Sequence, residues 1–238
     1  MSLKANKNDW LAMLSMMNAV DKDLTIKTDG KQAVCMATDP PHVIFVKCTM
    51  DCIGDVVSFT VNCEQFMKAI GASGGSEQTI EIDRDKGVIK IVGESNVRVP
   101  LIDESEGTVP DLFSKEEYNN ADCYAKFKPI ILEPLISYGL YKKQDSAIFS
   151  SDDSNILTII IGEGQNQSDC QFTDAIGKPA TIKCSLDYVS TIVKQAKGSN
   201  DANVGVELVK THYPMIFKWK SADSVSINVL LAPWIDEE

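Results

Sequence analysis

Four stretches of this chain carry apolar residues at helical spacing, and they fall into two pairs with nearly the same gap. Residues 8–19 contribute Trp10, Leu11, Leu14 and Met17, and residues 62–72 contribute Phe66, Met67 and Ile70. Residues 129–143 contribute Ile131, Leu132, Leu135, Ile136 and Leu140, and residues 185–197 contribute Leu186, Val189, Ile192 and Val193. The first pair starts 54 residues apart, at 8 and 62; the second starts 56 apart, at 129 and 185. Corresponding helices are offset by 121 and 123 residues. Asn8, Asn62 and Ser185 suit N-caps, and Pro129 suits a first helical position. Pro134 is tolerable if the third helix begins near Ile131, while Gly71 and Gly74-Gly75 end the second. Most of the remainder alternates as strands: 24–28, 43–49, 56–61, 79–82, 88–92 and 97–101, then 123–127, 147–150, 156–161, 180–184, 204–209, 215–219 and 225–231. The repeat predicts an α+β chain of two similar tandem domains, each with two helices on one face of antiparallel sheet.

The two copies meet at residues 98–118, RVPLIDESEGTVPDLFSKEEY. Strand-like residues give way at Asp103 to an acidic segment with Gly107 and Pro110 and no regular period, which reads as a connector. The expected boundaries are an N-terminal domain over 1–102, a connector over 103–121 and a C-terminal domain over 122–238. Val109, Pro110, Leu112 and Phe113 are apolar residues in a segment that should lie on the surface. Either the loop docks and helps form a binding surface, or it is tucked onto its own core.

Composition excludes several classes. No run approaches the roughly 20 apolar residues of a membrane span, and residues 1–10 are too polar for a signal peptide. Seven cysteines form an odd set without CxxC pairs, which fits a reducing compartment and buried thiols. A net charge of −11 argues against general polyanion binding over the whole surface, but allows lysines gathered on one face. With only His42 and His212, little is left for acid–base or metal chemistry. Residues 71–75, GASGG, lack the Gly-Lys-Ser/Thr of a phosphate loop. Asp152-Asp153 reads as a solvated turn. The expectation is no catalytic residue, no metal and no cofactor.

Particular residues carry a resemblance. RVPLID at 98–103, followed by an acidic connector with Val109-Pro110, resembles the interdomain region of sliding clamps of the proliferating cell nuclear antigen (PCNA) type, especially archaeal ones. LLAPWIDEE at 230–238 resembles that family's terminal LAP-x-I/V-acidic tail. ATDPPHV at 37–43 is similar to its A-M-D-P-S-H/R-V loop. Tyr213-Pro214-Met215 and residues 185–198 also fall where the family has similar segments. The resemblance implies the DNA-clamp fold, assembled as a trimeric ring with helices lining the hole and sheets forming the outer wall.

It also implies roles for individual residues. Double-stranded DNA, encircled without sequence preference, would meet Lys7, Lys68, Lys142, Lys143, Lys194 and Lys197 on the helices. Between Asn8 and Val20 there is no lysine or arginine, and the second helix has only Lys68, fewer than the family usually carries. DNA polymerase, clamp loader, ligase and flap nuclease would dock through short motifs. Their pocket would comprise His42, Val43, Phe45, Val109, Pro110, Leu112, Ala232, Pro233, Trp234 and Ile235. Trp234 departs from the basic or polar residue more usual at its place. The implied activity is a non-enzymatic processivity factor forming a homotrimer, with no membrane association. Its location would be cytoplasmic with the nucleoid in an archaeon, or nuclear in a eukaryote. The rival readings are one subunit of a heterotrimeric or checkpoint-type clamp, and a β-rich scaffold that never encircles DNA.

Overall fold

The structure, a computed structural model, describes residues 1–103, 109–118, 120–164, 167–198, 203–210 and 213–234. The chain divides into two compact units, Met1–Asp111 with Lys220–Ile227, and Leu112–Trp219 with Asn228–Glu238.

Each half of the sequence runs through the same eleven elements. The first half has β1 (Ser2–Asn6), α1 (Lys7–Asn18), β2 (Asp23–Asp29), β3 (Gln32–Thr38), β4 (Ile44–Asp51) and β5 (Ile53–Gly54). It continues with β6 (Val56–Asn62), α2 (Cys63–Ala72), β7 (Glu77–Asp83), β8 (Val88–Val92) and β9 (Asn96–Pro100). The second half repeats this as β10 (Cys123–Phe127), α3 (Pro129–Tyr141), β11 (Ser146–Ser151), β12 (Ile156–Ile161), β13 (Ser168–Thr173) and β14 (Ile176–Gly177). Then follow β15 (Ala180–Ser185), α4 (Leu186–Lys197), β16 (Val204–Leu208), β17 (Met215–Lys220) and β18 (Ser226–Leu231). Strand order repeats as well. The run β5-β1-β7-β8-β9 matches β14-β10-β16-β17-β18, and β4-β3-β2-β6 matches β13-β12-β11-β15. The ladders are antiparallel.

Period-two patterning sets which side of each strand is covered. In β4, Ile44, Val46, Cys48 and Met50 are buried while Phe45, Lys47 and Thr49 stay partly open. Within the first unit α1 packs on α2, with the buried Trp10 ring edge-on to Phe66 at 5.5 Å. In the second, α3 packs on α4, and Phe127, Phe149 and Phe217 meet with centroids 5.7 to 6.3 Å apart. Gly139 lets α3 come close to the sheet: a Cβ there would lie 2.3 Å from Ile161 Cγ2.

The helix ends differ in detail from the sequence expectation. The first helix begins at Lys7, and its cap is Asn6, whose Oδ1 accepts from Asn8 N–H at 2.8 Å. Asn62 does cap α2, accepting from Gln65 N–H. Ser185 stands at the N-cap of α4 but makes no side-chain cap bond, since it is still paired in β15 opposite Ser146. The third helix starts at Pro129 and stops at Tyr141, so Pro134 lies inside it. The proline has no N–H for the Ile130 carbonyl four residues back, and Ile130 is exposed, where water can replace the bond. Two 3₁₀ turns, Leu112–Ser114 and Glu116–Tyr118, follow in the connector.

Candidate functional site

The two helix pairs differ in free charge. On α1 and α2 the charged residues are Lys7, Asp9, Glu64 and Lys68, which sum to zero. Both lysines are engaged: Lys7 Nζ donates to the Gly71 carbonyl at 2.8 Å, and Lys68 lies 2.6 Å from Glu64. That bond holds the Glu64 carboxyl below its usual range. On α3 and α4, with the two residues after α3, Glu133 and Asp187 face Lys142, Lys143, Lys194 and Lys197. Lys197 pairs with Glu133 at 2.5 Å, linking α4 to α3. Lys142, Lys143 and Lys194 have no carboxylate partner among the described residues. Lys143 takes a left-handed φ of 56°, turning the chain away directly after the helix.

Of the expected partner-binding residues, five lie in the first unit. The loop before β4 is knit by the buried Asp39, whose Oδ1 accepts from Val43 N–H at 2.8 Å and Ile44 N–H at 2.9 Å. His42 takes a left-handed φ of 59°, and its ring stacks on Phe45 with centroids 6.0 Å apart. Val43 and Phe45 are partly exposed, on the open side of the strand. Lys47, two residues beyond Phe45 on that side, pairs with Asp111 at 2.6 Å, next to Val109 and Pro110. Lys47 and Asp111 escaped the sequence reading because a tie across 64 residues has no local signature. Asp39 did have one, a short carboxylate before Pro40-Pro41 at a tight turn.

The others belong to the second unit. Leu112 opens the first 3₁₀ turn, while Ala232 and Pro233 are partly buried in the tail. Trp234 N–H donates to the Lys183 carbonyl on β15 at 2.7 Å. Lys183 Nζ lies 5.7 Å from the Trp234 ring centroid and 2.9 Å from Glu163, and the indole remains 42% exposed. Ile235 and His212 lie outside the described residues.

Sheet edges supply a further feature. The strands β6, β9, β13 and β15 end their sheets, as do the two-residue β5 and β14. On β6 the Ser58 and Thr60 carbonyls accept from Arg84 and from Ile102 N–H. On β15 the Lys183 carbonyl accepts from Trp234. Among the described residues β9 and β13 show no such backbone bond on their free side, and an open edge invites another strand.

No family model matches the chain. It is 25% identical over 197 residues to the DNA polymerase sliding clamp of Nanoarchaeum equitans, covering 77% of this chain and 75% of that one. Its structure resembles the A. fulgidus PCNA bound to the C-terminal region of FEN-1, with TM-score 0.80 and 19% identity over 100% of this chain and 99% of that one. It also resembles the PCNA2–PCNA3 complex of Sulfolobus tokodaii, with TM-score 0.76 and 17% identity over 98% and 99%. A third likeness is the PCNA of Entamoeba histolytica, with TM-score 0.78 and 13% identity over 98% of each chain. The fold is that of PCNA-type sliding clamps along its whole length.

Proposed function

We propose that this chain is a DNA polymerase sliding clamp of the PCNA type, three copies of which close into a ring around duplex DNA. The observation that carries this reading is the duplicated eleven-element unit, matched from end to end by clamp structures. Two open edges of similar length, β9 and β13, suit head-to-tail pairing of copies into a closed ring. A ring holds DNA by enclosure, so weak lysine–phosphate contacts suffice and the protein slides. It acts as a non-catalytic scaffold wherever its DNA is, and opening is left to an ATP-driven loader.

Polymerase, ligase and flap nuclease dock through short motifs at His42, Val43, Phe45, Val109 and Pro110 of the first unit. The FEN-1 segment bound to the A. fulgidus protein supports such a mode. Tethering raises the polymerase concentration at the primer end, so processivity rises without new chemistry.

The test is the mass in solution, followed by polymerase stimulation on a primed circular template. A particle of about 78 kDa, three times the 26.1 kDa chain, that lengthens polymerase products supports the reading. A monomer at every concentration, with no stimulation, sinks it. One observation favours a heterotrimer: α1 and α2 offer only Lys7 and Lys68, both already engaged. In that case trimer mass appears only when a second clamp-like chain is added.

A further inference from the structure

The solvent face of α3 is unusual for a helix expected to line a DNA channel. Ile130, Ile131, Tyr138 and Tyr141 are all exposed, Tyr141 at 79%. The helix's single charge, Glu133, is already paired with Lys197. At its C-terminal end stands Lys142, whose Nζ lies 5.5 Å from the Tyr138 ring centroid and 5.6 Å from that of Tyr141. A cation held between two ring faces loses its side-chain freedom in advance, yet keeps its charge. Neither tyrosine hydroxyl has a hydrogen-bond partner among the described residues.

We infer that Tyr138, Lys142 and Tyr141 form a duplex-DNA backbone contact, in which the rings pack on deoxyribose and the ammonium and hydroxyls meet the intervening phosphate. This rests on the clamp reading and adds to it the residues that hold the strand. Charge decides the occupant. In a chain of net charge −11, Lys142 and Lys143 stand side by side at this helix end, and neither has an ion-pair partner among the described residues. A polyanion complements these two cations, whereas an apolar peptide would leave both facing it. The preorganised lysine limits the ordering cost of binding, and the rings add contact that salt does not screen.

The experiment is binding of a short linear duplex to the intact protein by fluorescence anisotropy across a salt series. It compares wild type, Lys142→Ala, Tyr138→Ala/Tyr141→Ala and Tyr138→Phe/Tyr141→Phe, with unchanged circular dichroism and assembly mass as the folding control. Lys142→Ala is expected to flatten the dependence of log K on log salt by about 0.9 per chain contact. The alanine pair is expected to weaken binding roughly tenfold at every salt concentration with the slope unchanged. The phenylalanine pair, which keeps the rings, should lose less. An alanine pair that binds like wild type overturns the inference and leaves the clamp standing. So does one that keeps duplex binding but loses polymerase stimulation, which marks a protein-docking face, or one that loses only single-strand binding. A wild-type protein that neither binds duplex nor stimulates polymerase takes down the clamp reading itself.

Discussion

Asp111 does two things for the connector: it neutralises Lys47, and it fixes the backbone beside Val109 and Pro110 against the open face of β4. With both side chains partly exposed, Asp111→Ala should cost under about 1 kcal/mol of stability. Its effect on function should be larger, because a loosened connector must be ordered each time a partner docks. The expected result is a several-fold loss of affinity for a partner peptide, read by calorimetry, with the unfolding midpoint nearly unchanged. Equal affinity in the variant would remove the connector from the docking surface. Cys170 offers a second measurement. It is the one half-buried cysteine; the other six are buried. Burial, with Asp169 beside it, pushes its thiol up to about 11. Only the thiolate reacts, so iodoacetamide should label one site slowly at pH 8, about tenfold faster per pH unit until near 11. Several labels on the native protein, seen by intact mass, would contradict the packing described for the buried thiols.

Elements show where sequence patterns suffice. The repeat is legible because helices that bury one face must place Trp10, Leu14 and Met17, or Val189, Ile192 and Val193, at fixed intervals. The β3 and β13 strands are harder to read. In β3, QAVCMAT, the covered residues are the small Ala33, Cys35 and Ala37; in β13, SDCQFT, the open edge keeps the strand polar. Caps are local choices among near neighbours, and a hydrogen bond selects Asn6 over Asn8. The candidate site divides similarly. Lysines can be placed on helices from sequence alone, but the ties that occupy Lys7, Lys68 and Lys197 exist only in three dimensions. Close packing between elements is equally invisible, and Gly139 is the instance to test. Alanine there gains about 1 kcal/mol of helix propensity but meets Ile161 Cγ2 at 2.3 Å, an overpacking cost of about 1–3 kcal/mol. Gly139→Ala should therefore lower the urea midpoint. Gly139→Ala with Ile161→Ala should lose less than the two separate losses combined, because the second change opens the space the first one needs. Additive losses would show that α3 moves off the sheet on its own.

For the whole molecule, the open edges of β9 and β13 bear on whether one chain can close a ring with itself. On β9, Val99 is buried and Val97 partly so, with Arg98 outward; on β13, Cys170 and Phe172 are half-buried, with Asp169 outward. Arg98 and Asp169 have no ion-pair partner among the described residues. An antiparallel pairing that keeps the valines with Cys170 and Phe172 on the covered side must put Arg98 and Asp169 on the same outer face. In a register that sets them directly opposite or diagonal, they are close enough to attract. The two edges of one chain are thus complementary to each other, which favours self-assembly over a need for different partners. Arg98→Asp alone should shift the light-scattering mass from about 78 kDa towards the 26.1 kDa chain at low concentration, and Asp169→Arg alone should do the same. Combining them restores opposite charges in swapped positions and should restore the trimer, most clearly at low salt, where exposed charges are least screened. Single variants that stay trimeric at the lowest concentrations would place the closing contact elsewhere. A swap that fails to restore it would mean the two residues do not meet.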